Sequence, residues 1–98
     1  LMADADGTVH MLFCIEYMRC FYQRSTDDGV SWSKAAEITP AFEAFKKNYD
    51  WKVLATGPNH SIQLQRGAKA GRLIVPVWLS TGTGGNAHRP SVTATIYS

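Results

Sequence analysis

The chain has 98 residues, which is enough for one domain with a modest core and too few for two domains. Its hydrophobic content is an ordinary 45%, and no apolar run approaches the roughly 20 residues that span a bilayer, so we expect no membrane partner. The net charge is +2, with lysine and arginine scattered along the chain, which argues against a nucleic-acid partner.

The first part of the chain is predicted to form a β-hairpin with a further strand at its edge. Residues 8–15, TVHMLFCI, are apolar and β-prone, and they follow the turn-like DADG of residues 4–7. A second β-prone run, RCFYQRS, occupies residues 19–25 after a three-residue link. These two runs predict the hairpin, and SWSKAAEIT at residues 31–39 predicts the outer strand.

A long connection is predicted next. Residues 40–51, PAFEAFKKNYDW, place aromatic residues at helical spacing behind a proline, which indicates one or two helical turns.

The strand pattern then starts again. HSIQLQR at residues 60–66 predicts a strand, GAKAG at 67–71 a turn, and RLIVPVWL at 72–79 a buried strand. Pro76 cannot donate to a ladder, so we expect a sheet edge or a bulge at that position. A glycine-rich loop precedes the last strand, SVTATIYS.

The two strand-rich stretches look like imperfect copies of one unit. Each contains a glycine turn, an apolar strand, a loop and a strand that carries an aromatic residue shortly before a serine, at Ser25 and at Ser98. Repeated antiparallel sheets of this kind are typical of propeller blades. We therefore predict one all-β domain over residues 1–98, with blade-like units at about 1–39 and 60–98 and a connection at 40–59.

Two aspartates in STDDGVSW, residues 25–32, raise a choice between a catalytic, a metal-binding and a turn-forming role. Asp27 can accept backbone N–H groups from the turn that follows it, and Ser25 can bond locally in support. Gly29 can supply the positive φ of a tight reversal, and Trp32 can pack against the sheet. A calcium loop would need more oxygen ligands and a distal glutamate. We predict that the aspartates shape a turn.

The cysteines and histidines do not predict a metal site or a cofactor. Cys14 and Cys20 are too few for a disulfide framework, and their spacing is not that of zinc ligands. They could oxidise across the hairpin, but we interpret them as reduced, half-buried packing residues. His10, His60 and His88 are far apart in sequence, and we expect no metal between them.

Several segments together resemble one enzyme family. Ser-x-Asp-x-Gly-x-x-Trp is the Asp-box, or BNR motif, found in sialidases and other β-propellers. TGPNHSIQL at residues 56–64, followed by GRLIVPVW at 71–78, resembles the family's GPGHG-x-QL … GRL-V-VP segment. In chain order, DADGTVHMLF, STDDGVSWS, GPNHSIQL, GRLIVPVW and IYS resemble the middle of an exo-α-sialidase, or neuraminidase. Asn59 and Ser61 stand where that family usually has glycines.

The resemblance implies about two blades of a six-bladed β-propeller and, for the parent family, hydrolysis of terminal sialic acid from glycoconjugates. The family uses three arginines that grip the substrate carboxylate, a Tyr–Glu nucleophile pair and an Asp acid/base. None of those positions has a match in this chain. The resemblance therefore implies a sialidase-like fragment that is inactive alone. The alternative is a non-catalytic glycan- or protein-binding remnant; a different propeller carrying this turn is disfavoured by the second matching segment.

Topology predicts which loops would meet a substrate. Connections of an antiparallel blade alternate between its two ends, so the Asp-box turn lies opposite the Glu16–Arg19 loop, the Thr39–Asn59 connection and the Thr81–Pro90 loop. By resemblance, these three connections form the substrate face, where loops would carry recognition of a sialylated glycan. The candidate residues on this face are Glu16, Tyr17, Arg19, His60, Trp78 and Arg89.

Part of a propeller also leaves unpaired sheet edges and an apolar face exposed. We therefore expect the chain to form a homo-oligomer, either by pairing of sheet edges between two copies or by exchange of strands.

Overall fold

A computed structural model of the chain describes residues 1–57, 60–83, 85 and 89–98. The predicted all-β class is confirmed, because these residues form two antiparallel four-stranded sheets with short helical segments between them. Their arrangement is compatible with part of a β-propeller. No helix within these residues is both long and apolar enough to cross a bilayer.

The first sheet contains four strands in chain order. They are β1 (Met2–Ala3), β2 (Val9–Ile15), β3 (Arg19–Ser25) and β4 (Ala36–Glu37). The predicted hairpin is confirmed, since β2 and β3 pair along their full length from Val9 opposite Ser25 to Ile15 opposite Arg19. The outer strand is shorter than predicted, with only Ala36 and Glu37 in the ladder.

Two short helical segments follow, α1 (Pro40–Glu43) and a 3₁₀ helix (Ala44–Lys47), in agreement with the predicted one or two turns. Phe42 of α1 is fully buried. Its ring makes edge-to-face contacts with Phe45 and Trp51, at centroid distances of 6.5 and 6.4 Å. The Trp51 indole N–H also donates to the Phe42 carbonyl at 2.8 Å. This connection therefore supplies part of the core.

The second sheet is built around one central strand. Its strands are β5 (Val53–Thr56), β6 (Ile62–Gln63), β7 (Leu73–Ser80) and β8 (Ser91–Tyr97). β5 and β6 pair with successive parts of one edge of β7, and β8 pairs with the other edge. β5 was not predicted, and it places the start of this sheet at Val53 inside the expected connection. β6 covers only two residues of the predicted strand.

Pro76 lies in the central strand rather than at a sheet edge. The Gly57 N–H donates to the Pro76 carbonyl at 3.3 Å. In an antiparallel ladder, the amide nitrogen and carbonyl of one residue point to the same side, so the missing donor of Pro76 faces Gly57 as well. Gly57 comes directly after β5 ends. The proline therefore lies opposite the break between β5 and β6. Its missing N–H removes no hydrogen bond from the β7–β8 ladder.

One hydrophobic core lies between the sheets. Its buried apolar residues come from β3, α1, the segment before β5, β5 itself and β7: Cys20, Phe42, Trp51, Leu54, Val75, Val77 and Leu79. Because successive strand residues face opposite sides, Leu12 and Cys14 of β2 turn toward this core. Phe13 turns away from it, and its ring stacks on Phe21 of β3 at 5.5 Å.

Candidate functional site: a cleft between three connections

Three connections meet at one end of the sheets and surround an open cleft of about 420 Å³. They are the β2–β3 turn, the segment from the 3₁₀ helix into β5, and the start of the β7–β8 loop. The residues that line the cleft are Glu16, Met18, Lys46, Trp51, Lys52, Val53, Gly82 and Thr83. These are the same three connections that blade topology places together.

Hydrogen bonds hold these connections in place. The Leu54 N–H donates to the Tyr17 carbonyl at 2.7 Å, which ties the β2–β3 turn to β5. The Lys52 N–H donates to the Ser80 carbonyl, also at 2.7 Å. The Tyr49 hydroxyl donates to the Pro90 carbonyl at 2.9 Å, which fixes the end of the β7–β8 loop. The walls of the cleft are therefore positioned by the two sheets.

The cleft carries mixed charge. The Lys46 ammonium lies 4.4 Å from the centre of the Trp51 ring and 3.7 Å from a Glu43 carboxylate oxygen. The Lys52 ammonium contacts Asp50 at 2.8 Å, and this hydrogen bond lowers the pKa of Asp50. Both lysines thus have acidic partners and keep other N–H donors for a ligand, since an ammonium has three. Glu16 is the one carboxylate among the lining residues.

Two of the six substrate-face candidates form the tip of the β2–β3 turn. Glu16 and Tyr17 have φ values of 53° and 56°, and both residues are exposed. Glu16 lines the cleft. Tyr17 is 59% exposed and borders a neighbouring cleft of about 410 Å³, which Cys14 and Thr56 also line.

Arg19 is occupied by another side chain. Its Nε and Nη2 atoms donate to the two carboxylate oxygens of Glu37 at 3.0 and 2.9 Å. This bidentate pair raises the pKa of Arg19 and lowers that of Glu37. The guanidinium also lies 4.9 Å from the centre of the Phe21 ring. Arg19 therefore braces the outer surface of the first sheet.

The remaining candidates lie apart from the cleft lining. His60 is exposed and precedes β6. Trp78 is half-buried on β7, on the face opposite the buried Val77 and Leu79. Arg89 is exposed near the end of the β7–β8 loop. Among the residues that the structure describes, the cleft thus brings together Glu16 with lysines and a tryptophan that sequence analysis did not single out.

The turn after β3 has the hydrogen bonding predicted for its serine and aspartate. The buried Ser25 hydroxyl donates to Asp27 Oδ1 at 2.7 Å and accepts the Gly29 N–H at 2.8 Å. Asp27 Oδ1 also accepts the Ser31 N–H at 2.8 Å, and the Ser31 hydroxyl donates to Oδ2. Hydrogen bonds from Ser31, and then from Ser25, lower the pKa of Asp27 to about 2. Both carboxylate oxygens are therefore engaged within the turn.

Backbone conformation explains the glycine in this turn. Gly29 has a φ of 86°, which a residue with a Cβ adopts only with strain. A Cβ added to Gly29 would lie 3.7 Å from Cζ2 of Trp32, so the tryptophan ring packs over the turn.

A second hydrogen-bonded aspartate lies at the same end of the first sheet and was missed by sequence analysis. His10 is buried, and its Nε2 lies 2.8 Å from Asp4 Oδ2 while its Nδ1 lies 2.8 Å from the Tyr22 hydroxyl. The acidic partner of His10 is therefore Asp4, six residues before it in the sequence. The alternation that puts His10 and Leu12 on one face of β2 is the signal that points to its burial.

The described part of the chain holds no group of three or more His, Cys, Asp or Glu side chains suited to a metal ion. His88 and Asn59, which entered the sequence analysis, lie outside the described residues. No protein-family model matches the chain.

Proposed function

We propose that this chain is part of a sialidase-like glycoside hydrolase and contributes scaffold and one section of a sialoside-binding face. The observation that supports this proposal is that three connections meet at one cleft. This cleft lies at the end of the sheets where the sialidase resemblance places the substrate. The Asp27 turn at the other end of the first sheet is occupied by its own hydrogen bonds. The cleft is therefore the better candidate for ligand contact.

The lining groups suit binding better than hydrolysis. A sialoside presents one carboxylate and several hydroxyl groups. Lys46 and Lys52 offer ammonium donors for the carboxylate, and Glu16 and Thr83 offer partners for hydroxyls. Glycoside hydrolysis ordinarily needs a proton donor together with a nucleophile or a base, often a pair of acidic side chains. Glu16 has no carboxylate partner among the described lining residues, so we expect no turnover by these 98 residues.

Binding without hydrolysis is the expected result with an α-sialoside. Saturation-transfer NMR should detect the ligand with a dissociation constant on the order of 1 mM, while sialyl-umbelliferone should release no fluorophore. Replacing both Lys46 and Lys52 with methionine should weaken binding about fivefold, because an exposed ion pair contributes up to about 1 kcal/mol. Lys34→Met is the matched control, since Lys34 is exposed in the link before β4, outside the cleft.

Each contrary result would identify a different error. Fluorophore release would mean that the chain holds reacting groups that the proposal denies. Equal loss of binding in the Lys34 control would mean that lysine charge acts without a defined site. Absence of saturation transfer would contradict the proposal that this chain contains part of a sialoside-binding face.

The second candidate is a non-catalytic remnant that self-associates, and one surface favours it. The face of the first sheet that turns away from the core carries Met11, Phe13, Ile15 and Phe21, and Ile15 is 43% exposed.

For self-association through this face, we expect light scattering to show a mass that rises with protein concentration. Phe13→Glu should weaken association at least about tenfold, because the carboxylate would be buried unpaired in the contact. Val30→Glu, at an 85% exposed position in the turn, should leave association unchanged. A monomer at every concentration would contradict this candidate.

A further inference from the structure

Cys14 and Cys20 stand directly opposite each other in the β2–β3 hairpin. The Cys20 N–H donates to the Thr39 hydroxyl at 2.9 Å, and the Cys20 carbonyl accepts the Ile38 N–H at 2.8 Å. Both backbone groups of Cys20 therefore point away from β2, which makes Cys14 and Cys20 a non-hydrogen-bonded pair. Such pairs bring Cα atoms to about 4.5 Å, within the range of about 4.4–6.8 Å that a disulfide spans.

The two thiols differ in their access to solvent. Cys20 is fully buried in the core, whereas Cys14 is half-buried and lines the open cleft of about 410 Å³ beside Tyr17. Thr56 Oγ1 lies 3.7 Å from the Cys14 sulfur. A reagent in the cleft can therefore reach Cys14 before Cys20.

The pKa values of the two thiols are shifted in opposite directions, and this difference also favours reaction at Cys14. A hydrogen bond from the Cys20 thiol lowers the pKa of Cys14, although burial acts in the opposite direction. The same interaction, together with burial, raises the pKa of Cys20. The hydrogen bond therefore favours the thiolate on Cys14, the accessible residue.

We propose that Cys14 and Cys20 are a thiol–disulfide modification site, in which Cys14 reacts first with an external disulfide and Cys20 resolves the product. This proposal does not depend on the sialidase assignment. It rests on the strand register, the non-hydrogen-bonded pairing and the one-sided access to Cys14.

A small-molecule disulfide such as oxidised glutathione can serve as the oxidant in this reaction. The Cys14 thiolate attacks one sulfur of glutathione disulfide, and one glutathione leaves as a thiolate that takes up a proton. Cys20 then loses its proton and attacks the Cys14 sulfur, which releases the second glutathione. The protein loses two protons and two electrons, which together are two hydrogen atoms, and the external disulfide becomes two thiols.

The site lies next to the candidate cleft. A Cys14–Cys20 disulfide closes a ring that includes Glu16, Tyr17 and Met18, and two of these line the cleft between the three connections. Oxidation would therefore fix the turn that forms one wall of that cleft.

Mass spectrometry of the intact chain after treatment with glutathione disulfide at neutral pH tests the proposal. We expect a monomer lighter by two hydrogen atoms. Trypsin cleaves after Arg19 and Arg24, so residues 1–19 and 20–24 should remain joined under non-reducing conditions and separate after reduction. Cys20→Ala should instead accumulate one glutathionyl group on Cys14.

Cys14→Ala is the matched control, because it leaves only the buried thiol. We expect its reaction to be at least about tenfold slower than that of Cys20→Ala in native buffer, and comparable in urea, where both thiols are exposed. Far-UV circular dichroism checks that both variants fold; if either does not, native-state alkylation of the unsubstituted chain, mapped on the same two tryptic peptides, gives the comparison. Disulfide-linked dimers, a stable mixed disulfide on the unsubstituted chain, or equal native reactivity of the two thiols would each overturn the proposal.

Discussion

Replacing Phe42 with alanine is expected to lower the free energy of unfolding by about 3–5 kcal/mol, the range found when a buried aromatic ring is removed. The Phe42 side chain is fully buried, and its ring contacts Phe45 and Trp51. Phe42 belongs to the core together with residues of β3, β5 and β7, so its truncation leaves a cavity there. A domain of this size has a total stability of about 5–15 kcal/mol, so the loss is a large part of it.

Urea unfolding followed by tryptophan fluorescence measures this effect. Val30→Ala is the control, since it also shortens an apolar side chain but at a position that is 85% exposed. It should change stability by no more than about 0.5 kcal/mol. Phe42→Leu should fall between the two, because leucine fills part of the cavity. A Phe42→Ala loss no larger than that of the control would mean that α1 lies outside the core.

The same substitution links the core to the cleft. The Trp51 indole donates to the Phe42 carbonyl, and Trp51 and the following Lys52 line the cleft. Truncation at Phe42 should therefore loosen this wall as well as weaken the fold. Under the proposed function, sialoside binding by Phe42→Leu, measured under conditions where the variant is folded, should be weaker than that of the unsubstituted chain.

Local sequence was sufficient for the hairpin and the aspartate turn. β2 and β3 are β-prone runs joined by a three-residue link, so their partners are set by chain proximity. Asp27, Gly29 and Ser25 act over only five positions, and their hydrogen bonds follow from the turn that they build. These features depend little on the rest of the fold.

The second sheet was harder to predict because its pairing is long-range. Residues 53–56, VLAT, form a short run just after the segment with helical spacing, inside the predicted connection, and they become a strand by pairing with residues 77–80 of β7. Sequence analysis therefore placed the start of this sheet too late. For the same reason, Pro76 in β7 was interpreted as a sign of a sheet edge or a bulge, because the break between β5 and β6 that accommodates it is visible only in the pairing.

At the candidate site, too, some features could be predicted from local sequence while others depend on long-range contacts. Alternation of connections along the sheets identified the three segments that meet at the cleft, but not their lining side chains. Lys46 and Trp51 line it because the helical connection packs into the core. Arg19 looked available in the sequence, whereas Glu37 reaches it through the register of β3 and β4. The connections that meet at the cleft were accessible from the sequence, and side-chain partners across strands were not.

Replacing Ser25 with alanine is expected to lower the free energy of unfolding by about 1–3 kcal/mol, the cost of leaving buried polar groups without partners. The Ser25 hydroxyl is buried, and it is the acceptor for the Gly29 N–H and a donor to Asp27. Alanine removes these two hydrogen bonds and a longer one of 3.4 Å from the Asp27 N–H, while the turn still requires a positive φ at Gly29. The loss should appear as a lower urea midpoint with an unchanged dependence on urea concentration.

Thr26→Ala separates the role of this hydroxyl from a general effect of the substitution. Thr26 is the next residue, is exposed, and loses a hydroxyl in the same way, so its variant should stay within about 0.5 kcal/mol of the unsubstituted chain. Asp27→Asn should also destabilise the fold, because an amide oxygen and an amide nitrogen cannot both accept from Ser31, whose N–H and hydroxyl bond different carboxylate oxygens. If Ser25→Ala and Asp27→Asn left stability unchanged, the turn would not depend on these bonds, and a ligand-directed role for Asp27 would become the better explanation.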